Sequence, residues 1–400
     1  MSSSVPLARL TFLIVVLTGL GQMTQTLYVP SIGHMAKDFL VDPASLQAVM
    51  ACYLIPYGLS QFVYGTLSDR FGRKPIIMVG LVIYLMGTLL ALFAHEYSLF
   101  LAGSFIQGLG IGCGGVMSRT LTRDCFEGKA LHKANSLVSM CLMFSPLIAP
   151  VLGGYLTSVF GWRSGYLFLA LFGAAVVIAM MSWFVETLPA SARKNERVSD
   201  SYRYVLGNRR FQGYLICLVA TFAGVAVFEA AAGVLLGGTL HLKPTLVSIL
   251  FIVPIPGYLA GAALSSMIAS RWNENRALNF GLFAIVAGAL VVLIPGAFGH
   301  TTVLTLIGGA TTYFLGAGIL FPAATTGAVS PFPYHAGTAG AVLGGMQNLG
   351  AGLATMAASF MPADNQMPLG ILMLVASVFA MLGLRRVHHN VPPQEMPLTV

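Results

Sequence analysis

Twelve apolar windows, each about 20 residues long, recur along the chain with short polar interruptions between them. A helix of about 20 residues crosses ~30 Å of hydrocarbon, so each window predicts a membrane-spanning helix. The windows fall near 8–29, 44–67, 75–95, 97–118, 134–158 and 164–185, then near 211–237, 245–269, 277–298, 301–323, 336–360 and 367–386. The first has no small-residue cleavage site and runs on into Gln25, Tyr28 and Pro30, so it reads as a retained span. Residues 186–210 are the long polar interruption, carrying Glu186, Arg193, Lys194, Glu196, Arg197, Asp200, Arg209 and Arg210. The expected fold class is all-α integral membrane, with twelve transmembrane helices in two six-helix bundles. Residues 1–185 form the first bundle, 186–210 a linker and 211–400 the second. An even count of spans places both termini on one side, and a pair of such bundles can function as a monomer.

Composition agrees with the pattern. Of 400 residues, 56% are hydrophobic and 8% charged, which no soluble domain keeps in solution. The net charge of +8 changes the picture only through its placement, because eighteen of the 21 Lys and Arg fall in loops of one parity. Lys37, Arg163 and Lys243 fall in the other. The positive-inside rule makes the first set cytoplasmic, together with both termini and the linker. Membrane lipid and topology account for the charge, and no nucleic-acid partner is implied. The five cysteines avoid the outer loops and the eight histidines are scattered, so neither a disulfide framework nor a metal site is expected. A membrane enzyme or sensor would need a nucleophile with its base, a metal cluster or a signalling domain, and none is present.

Of the 13 acidic residues, Glu229 alone lies well inside a window, within Ala226-Val-Phe-Glu-Ala-Ala-Ala-Gly233. An ionised carboxylate at that depth is expensive and is expected to face a cavity, a partner or a proton. It shares a helical face with Phe222, Ala226 and Gly233. The alternative is that it snorkels toward the outer surface, about 12 Å of helix rise away. On the first helix Gln22, Gln25, Thr26 and Tyr28 bring polar groups into an apolar span. On the second, Tyr53, Tyr57 and Gln61 follow a four-residue period. Aromatic walls with few hydrogen-bonding groups suit amphipathic compounds, and their faces attract organic cations. An interfacial aromatic belt is the competing reading for Tyr53. Phe251 and the Pro254-x-Pro256 kink are further pocket candidates.

Between the second and third windows runs Gly65-Thr-Leu-Ser-Asp-Arg-Phe-Gly-Arg-Lys-Pro75. Gly65 and Gly72 permit a tight turn, Asp69 can bridge to Arg73 or cap a helix, and Arg70, Arg73 and Lys74 suit an anionic leaflet. Arg119, Arg123 and Asp124 close the fourth helix, where Asp124 can pair with Arg73 and stabilise one gate state. The fifth helix holds Ala149-Pro150 and Gly153-Gly154, a kink beside a close-approach surface.

The 65–75 pattern resembles the signature loop of the major facilitator superfamily of secondary transporters. The Pro150 to Gly154 stretch and the Gln107-Gly108 pair resemble motifs of its proton-driven drug antiporters, with Ala149 where glycine is frequent. Ser104 replaces the arginine usual three residues before that glutamine, and the acidic residue many relatives carry near Thr26 is absent, leaving Glu229 as the coupling carboxylate. Ser270-Arg-Trp-Asn-Glu-Asn-Arg276 only faintly echoes the signature loop, without its Asp and second Gly. The resemblance implies a multi-pass protein of the bacterial inner membrane that exports amphipathic, often cationic drugs. The proton gradient is its energy source and it has no cofactor. It also implies gating by Gly65, Asp69, Arg70, Gly72, Arg73, Arg119, Arg123, Asp124, Pro150, Gly153 and Gly154. A transporter of one small metabolite, with drugs as incidental cargo, is the alternative.

Overall fold

The computed structural model describes residues 7–189, 199–269, 274–332 and 336–388. The middle of the polar linker (190–198) and most of the 270–276 segment lie outside the described residues. The described chain is helical and contains no strand. The helices are α1 (Leu7–Thr26), α2 (Ile32–Phe39), α3 (Gln47–Phe71), α4 (Arg73–Leu92), α5 (Tyr97–Cys125), α6 (Gly128–Phe160), α7 (Arg163–Trp183) and α8 (Ser199–Gly207). There follow α9 (Arg209–Gly233), α10 (Pro244–Ile252), α11 (Pro254–Ala269), α12 (Glu274–Ala297), α13 (Val303–Val329), α14 (Ala336–Ser359) and α15 (Met367–His388). A 3₁₀ turn at Val29–Ser31 separates α1 from α2, and a π-helical stretch, Val234–Thr239, extends α9. Among the described residues, 10 helical segments are long and apolar enough to cross a membrane.

Every apolar window is represented by helix, and local chemistry sets the ends. The eighth window is interrupted at Val253, because Pro254 cannot donate to the preceding turn. Asn208 and Thr302 cap α9 and α13 by accepting from the backbone N–H groups of Phe211 and Thr305. The signature stretch differs from its expectation as a glycine-bounded loop. Helix α3 continues through Gly65 to Phe71, and the turn into α4 is the single residue Gly72, with φ 104°. Nothing in the packing around Gly65 demands a glycine, since a Cβ there would meet only Val116 Cγ1 at 3.7 Å. The tightness resides in Gly72, whose backbone conformation side-chain-bearing residues rarely adopt.

Helices α1 and α4–α7 pack chiefly on one another and on α3, and α9, α11, α12, α13 and α15 pack among themselves, whereas α14 and α10 have their most extensive packing across the molecule, on α3 and α6. The two sets share a packing register. On α4, Gly80 and Gly87 press against Gly110 and Gly103 of α5; on α12, Gly281 and Gly288 press against Gly316 and Gly309 of α13. The same seven-residue spacing therefore seats the corresponding helix pair in each set.

Three seams join the sets. Helix α3 lies along α14, where a Cβ on Gly58 would stand 2.5 Å from the Leu349 nitrogen and one on Gly352 2.8 Å from that of Ile55. Helix α6 meets α10 at Gly154 and Ser248. At the end opposite Gly72, the Val29–Ser31 turn and α2 meet the 234–239 stretch, with Gly33 facing the carbonyl of Gly237. The start of α1 and the end of α15 lie at the same end of the molecule as Gly72. Arg9 reaches the Trp183 ring beside the α4 start, and Val387 packs on Gly213 near the start of α9.

Candidate functional site

Glu229 is 7% exposed and points from α9 across to α1. Its Oε2 accepts a 2.8 Å hydrogen bond from Gln25 Nε2, so the carboxylate joins the two helix sets. It does not snorkel to the surface. Its neighbours along α9 at 226 and 230–232 are buried alanines, and among the described residues no salt bridge offsets its desolvation. On α1 and the residues after it, Gln25 Oε1, Thr26 Oγ1 and Tyr28 Oη are buried with no hydrogen-bond partner among the described residues. Unmet buried polar atoms cost roughly 1–3 kcal/mol each.

The aromatic face of α3 is embedded between α1 and α5. Tyr53 and Tyr57 meet edge-on with centroids 5.7 Å apart, and the Tyr53 hydroxyl donates to the Gly21 carbonyl at 2.7 Å. Gly115 on α5 provides the room, since a Cβ there would lie 2.9 Å from the Tyr57 ring. The Tyr53 ring is buried, which favours a place in the interior over the interfacial belt. Gln22 is half-buried next to this group. Phe251 stacks on Phe228, the residue before Glu229, at 6.2 Å. Phe222 lies two helical turns from Glu229 and tilts against Phe321 at 6.1 Å. The structure thus joins Gln25 to Glu229, with Thr26 and Tyr28 following Gln25 in the chain, Phe251 stacked on the residue before Glu229, Tyr53 and Tyr57 packed one turn earlier on α1 at Gly21, and Phe222 two turns away on α9.

At the basic end, Arg73 is buried and its guanidinium is shared three ways. Nε donates to Asp124 at 3.0 Å and Nη1 to Ser68 at 2.7 Å and to Asp69. Both expected ion pairs of Arg73 therefore form, on one side chain. Glu186, which sequence reasoning left in the linker, accepts from the backbone N–H groups of Arg73 at 2.9 Å and Lys74 at 3.0 Å. It thereby caps α4 with a negative charge. Lys74 Nζ reciprocates at the end of α7 by donating to the carbonyls of Met181 at 3.0 Å and Phe184 at 2.6 Å. Each charge is opposite in sign to the helix end it faces, which stabilises both ends. Arg119 crosses between the sets and donates to the Gly340 carbonyl of α14. Arg70 and Arg123 are exposed.

In α6, Pro150, Gly153 and Gly154 are the contact surface toward both neighbours. Gly153 abuts the Leu27 carbonyl, and Ser248 Oγ, seated against Gly154, donates to the Pro150 carbonyl at 2.8 Å. Ser248 was not singled out from sequence, because a lone serine in an apolar helix carries no local signal.

Membrane-length helices, a buried carboxylate held between two helix sets and contacts at both ends define a polytopic secondary transporter. The chain belongs to the Major Facilitator Superfamily, whose pattern its residues 11–355 match, and it is a multi-pass bacterial inner-membrane protein. It is 43% identical over 374 residues, 94% of each chain, to Multidrug resistance protein D of Escherichia coli (strain K12). It is 26% identical over 339 residues, 82% of each chain, to Multidrug resistance protein MdtL of Shigella flexneri. Among solved structures, a D-xylose-proton symporter superposes with a TM-score of 0.74 at 14% identity, covering 93% of this chain and 97% of the other. The xylose transporter XylE from E. coli, in a partially occluded inward-open conformation, gives 0.72 at 12% identity, covering 98% and 99%. These two likenesses are of fold.

Proposed function

We propose that the protein is a proton-driven efflux transporter that exports amphipathic, often cationic compounds by alternating access. The observation that carries this reading is the Glu229–Gln25 bond, a membrane-depth carboxylate bridging the two helix sets. The names of the two multidrug resistance relatives point the same way. In this reading twelve helices span the membrane, both termini are cytoplasmic, and residues 1–185 and 211–400 rock as two bodies joined by 186–210. A monomer suffices and no cofactor is used.

A proton on Glu229 neutralises the charge that strengthens the bond from Gln25, and a cationic cargo competes for the same carboxylate. Proton and cargo thus bias one two-state equilibrium in opposite directions. Gln22, Gln25, Thr26, Tyr28, Tyr53, Tyr57 and Phe251 form the cargo surface, and Phe222 extends it two turns further along α9. Gly65, Asp69, Arg70, Gly72, Arg73, Arg119, Arg123, Asp124, Pro150, Gly153 and Gly154 serve the gates. The Tyr53 hydroxyl is spent on the Gly21 carbonyl, which leaves its ring rather than a hydrogen-bonding group for cargo. That favours varied amphipathic compounds over one polar metabolite.

The test is drug-triggered proton movement in proteoliposomes with an internal pH probe, comparing the wild type with Glu229→Gln. Several unrelated drugs should move protons through the wild type and none through the variant. Drug movement without protons would overturn the coupling, and a single compound outcompeting all drugs would favour the metabolite transporter.

A further inference from the structure

Helices α9 and α15 run antiparallel with their backbones in contact. A Cβ on Gly213 would meet the Gly383 carbonyl at 2.8 Å and the Val387 nitrogen at 3.2 Å. Arg209 and Arg210 begin α9 within one turn of Gly213, and Arg385 and Arg386 follow Gly383 within one turn at the end of α15. All four are exposed. At ~1.5 Å of rise per residue, the four guanidinium-bearing positions fall within a few ångströms of one level along the helix axes.

Among the described residues, no carboxylate forms a salt bridge with Arg209, Arg210 or Arg385, and Arg210 lies over the Tyr214 ring. No acidic residue occupies the first turn of α9, where two arginines also oppose the helix dipole. Of the acidic residues from 209 onward, Glu229 lies deep within α9 and Asp364 in the connection at the opposite end, and the side chain of Glu274, at the start of α12, is outside the described set. The other helix set differs, since Arg73 is paired with Asp69 and Asp124, and Glu186 caps α4 beside it.

An apolar track leads to the cations. On α15, Val375, Val378, Phe379 and Leu382 are 42–54% exposed and follow the three- and four-residue spacing of one helical face, which Arg385 and Arg386 continue. We propose that the paired ends of α9 and α15 hold the headgroup phosphate of an anionic phospholipid, with an acyl chain lying along the Val375–Leu382 face of α15. A soluble anion would use the cations without the track. Assigning the lipid to the cytoplasmic leaflet rests on the orientation proposed above; binding to purified protein does not.

The experiment is native mass spectrometry and thermal melting of the purified full chain with phosphatidylglycerol, phosphatidylcholine or inorganic phosphate added. Comparison is with Arg209→Gln/Arg210→Gln/Arg385→Gln, with Leu382→Gln, and with Lys37→Gln at the opposite end. An arginine near an anionic lipid surface is worth a factor of about five, so the triple variant should bind phosphatidylglycerol at least ~10-fold more weakly. Leu382→Gln, with every cation retained, should also lose affinity, and Lys37→Gln should not. Equal phosphatidylglycerol binding by the wild type and Leu382→Gln would overturn the proposal whether or not the triple variant folds. So would stabilisation by inorganic phosphate equal to that by phosphatidylglycerol.

Discussion

Gly72 shows how one residue fixes the geometry of a whole end of the molecule. It ends α3 and starts α4 with φ 104° and ψ 160°, and so delivers Arg73 back toward Ser68, Asp69 and Asp124 without an intervening loop. Substituting Gly72→Ala imposes a conformation costing roughly 1–3 kcal/mol for a residue with a side chain, or else rotates Arg73 away from its partners. The expected outcome is a lower melting temperature together with reduced transport, measured on purified protein and in vesicles. At this scale the sequence was most informative about charge. The Arg73–Asp124 pair and the isolation of Glu229 were both legible, because ionised groups in an apolar chain must find partners. Glu186 and Ser248 were not. Their partners lie 113 and 98 positions away, and no local pattern encodes such pairings.

The helices themselves were legible almost in full, since a run of apolar residues long enough to cross a bilayer has few alternatives. Their ends were less so. Gly65 invited an early stop to α3, yet glycine inside a membrane helix costs little when neighbouring helices hold the backbone, and the helix continued to Phe71. What sequence spacing did not disclose was which glycines meet. Gly58 lies against the backbone of α14, where a Cβ would stand 2.6 Å from the Gly345 carbonyl and 2.5 Å from the Leu349 nitrogen. Both neighbours are main chain and cannot turn aside as a side chain could. Gly58→Ala should therefore destabilise by about 1–3 kcal/mol, as overpacked substitutions do. Gly65→Ala, with only an ordinary contact to Val116, should be nearly neutral by comparison. Thermal melting of the two variants side by side separates a packing glycine from a merely permitted one.

For the molecule as a whole, the faint echo of the signature loop around 270–276 understates the likeness of the two helix sets. The glycine register of α4 with α5 and of α12 with α13 expresses it more clearly. Packing between adjacent helices is needed in both sets, whereas among the described residues a charge network is seen around Arg73. The end opposite Gly72 is closed by Gly33 against Gly237, where a Cβ on Gly33 would lie 3.4 Å from the Gly237 carbonyl. Cysteines at these two positions, in a chain lacking its own five, should be bridged by a short, reducible bifunctional thiol reagent. Transport should stop and return with reductant if this end has to open during the cycle. Unimpeded transport by the cross-linked protein would mean that it stays shut.

The α3–α14 seam has a mechanical consequence. Gly58 lies near the middle of the 25-residue α3, and Gly345 to Gly352 near the middle of the 24-residue α14. A backbone-to-backbone contact at mid-length is a fulcrum. Each arm of such a helix measures about 18 Å, so a tilt of ~15°, the size of known subunit rotations, carries one tip inward and the other outward by about 5 Å. Two ends geared in this way need no separate signal to keep them from opening together: the lever does the timing.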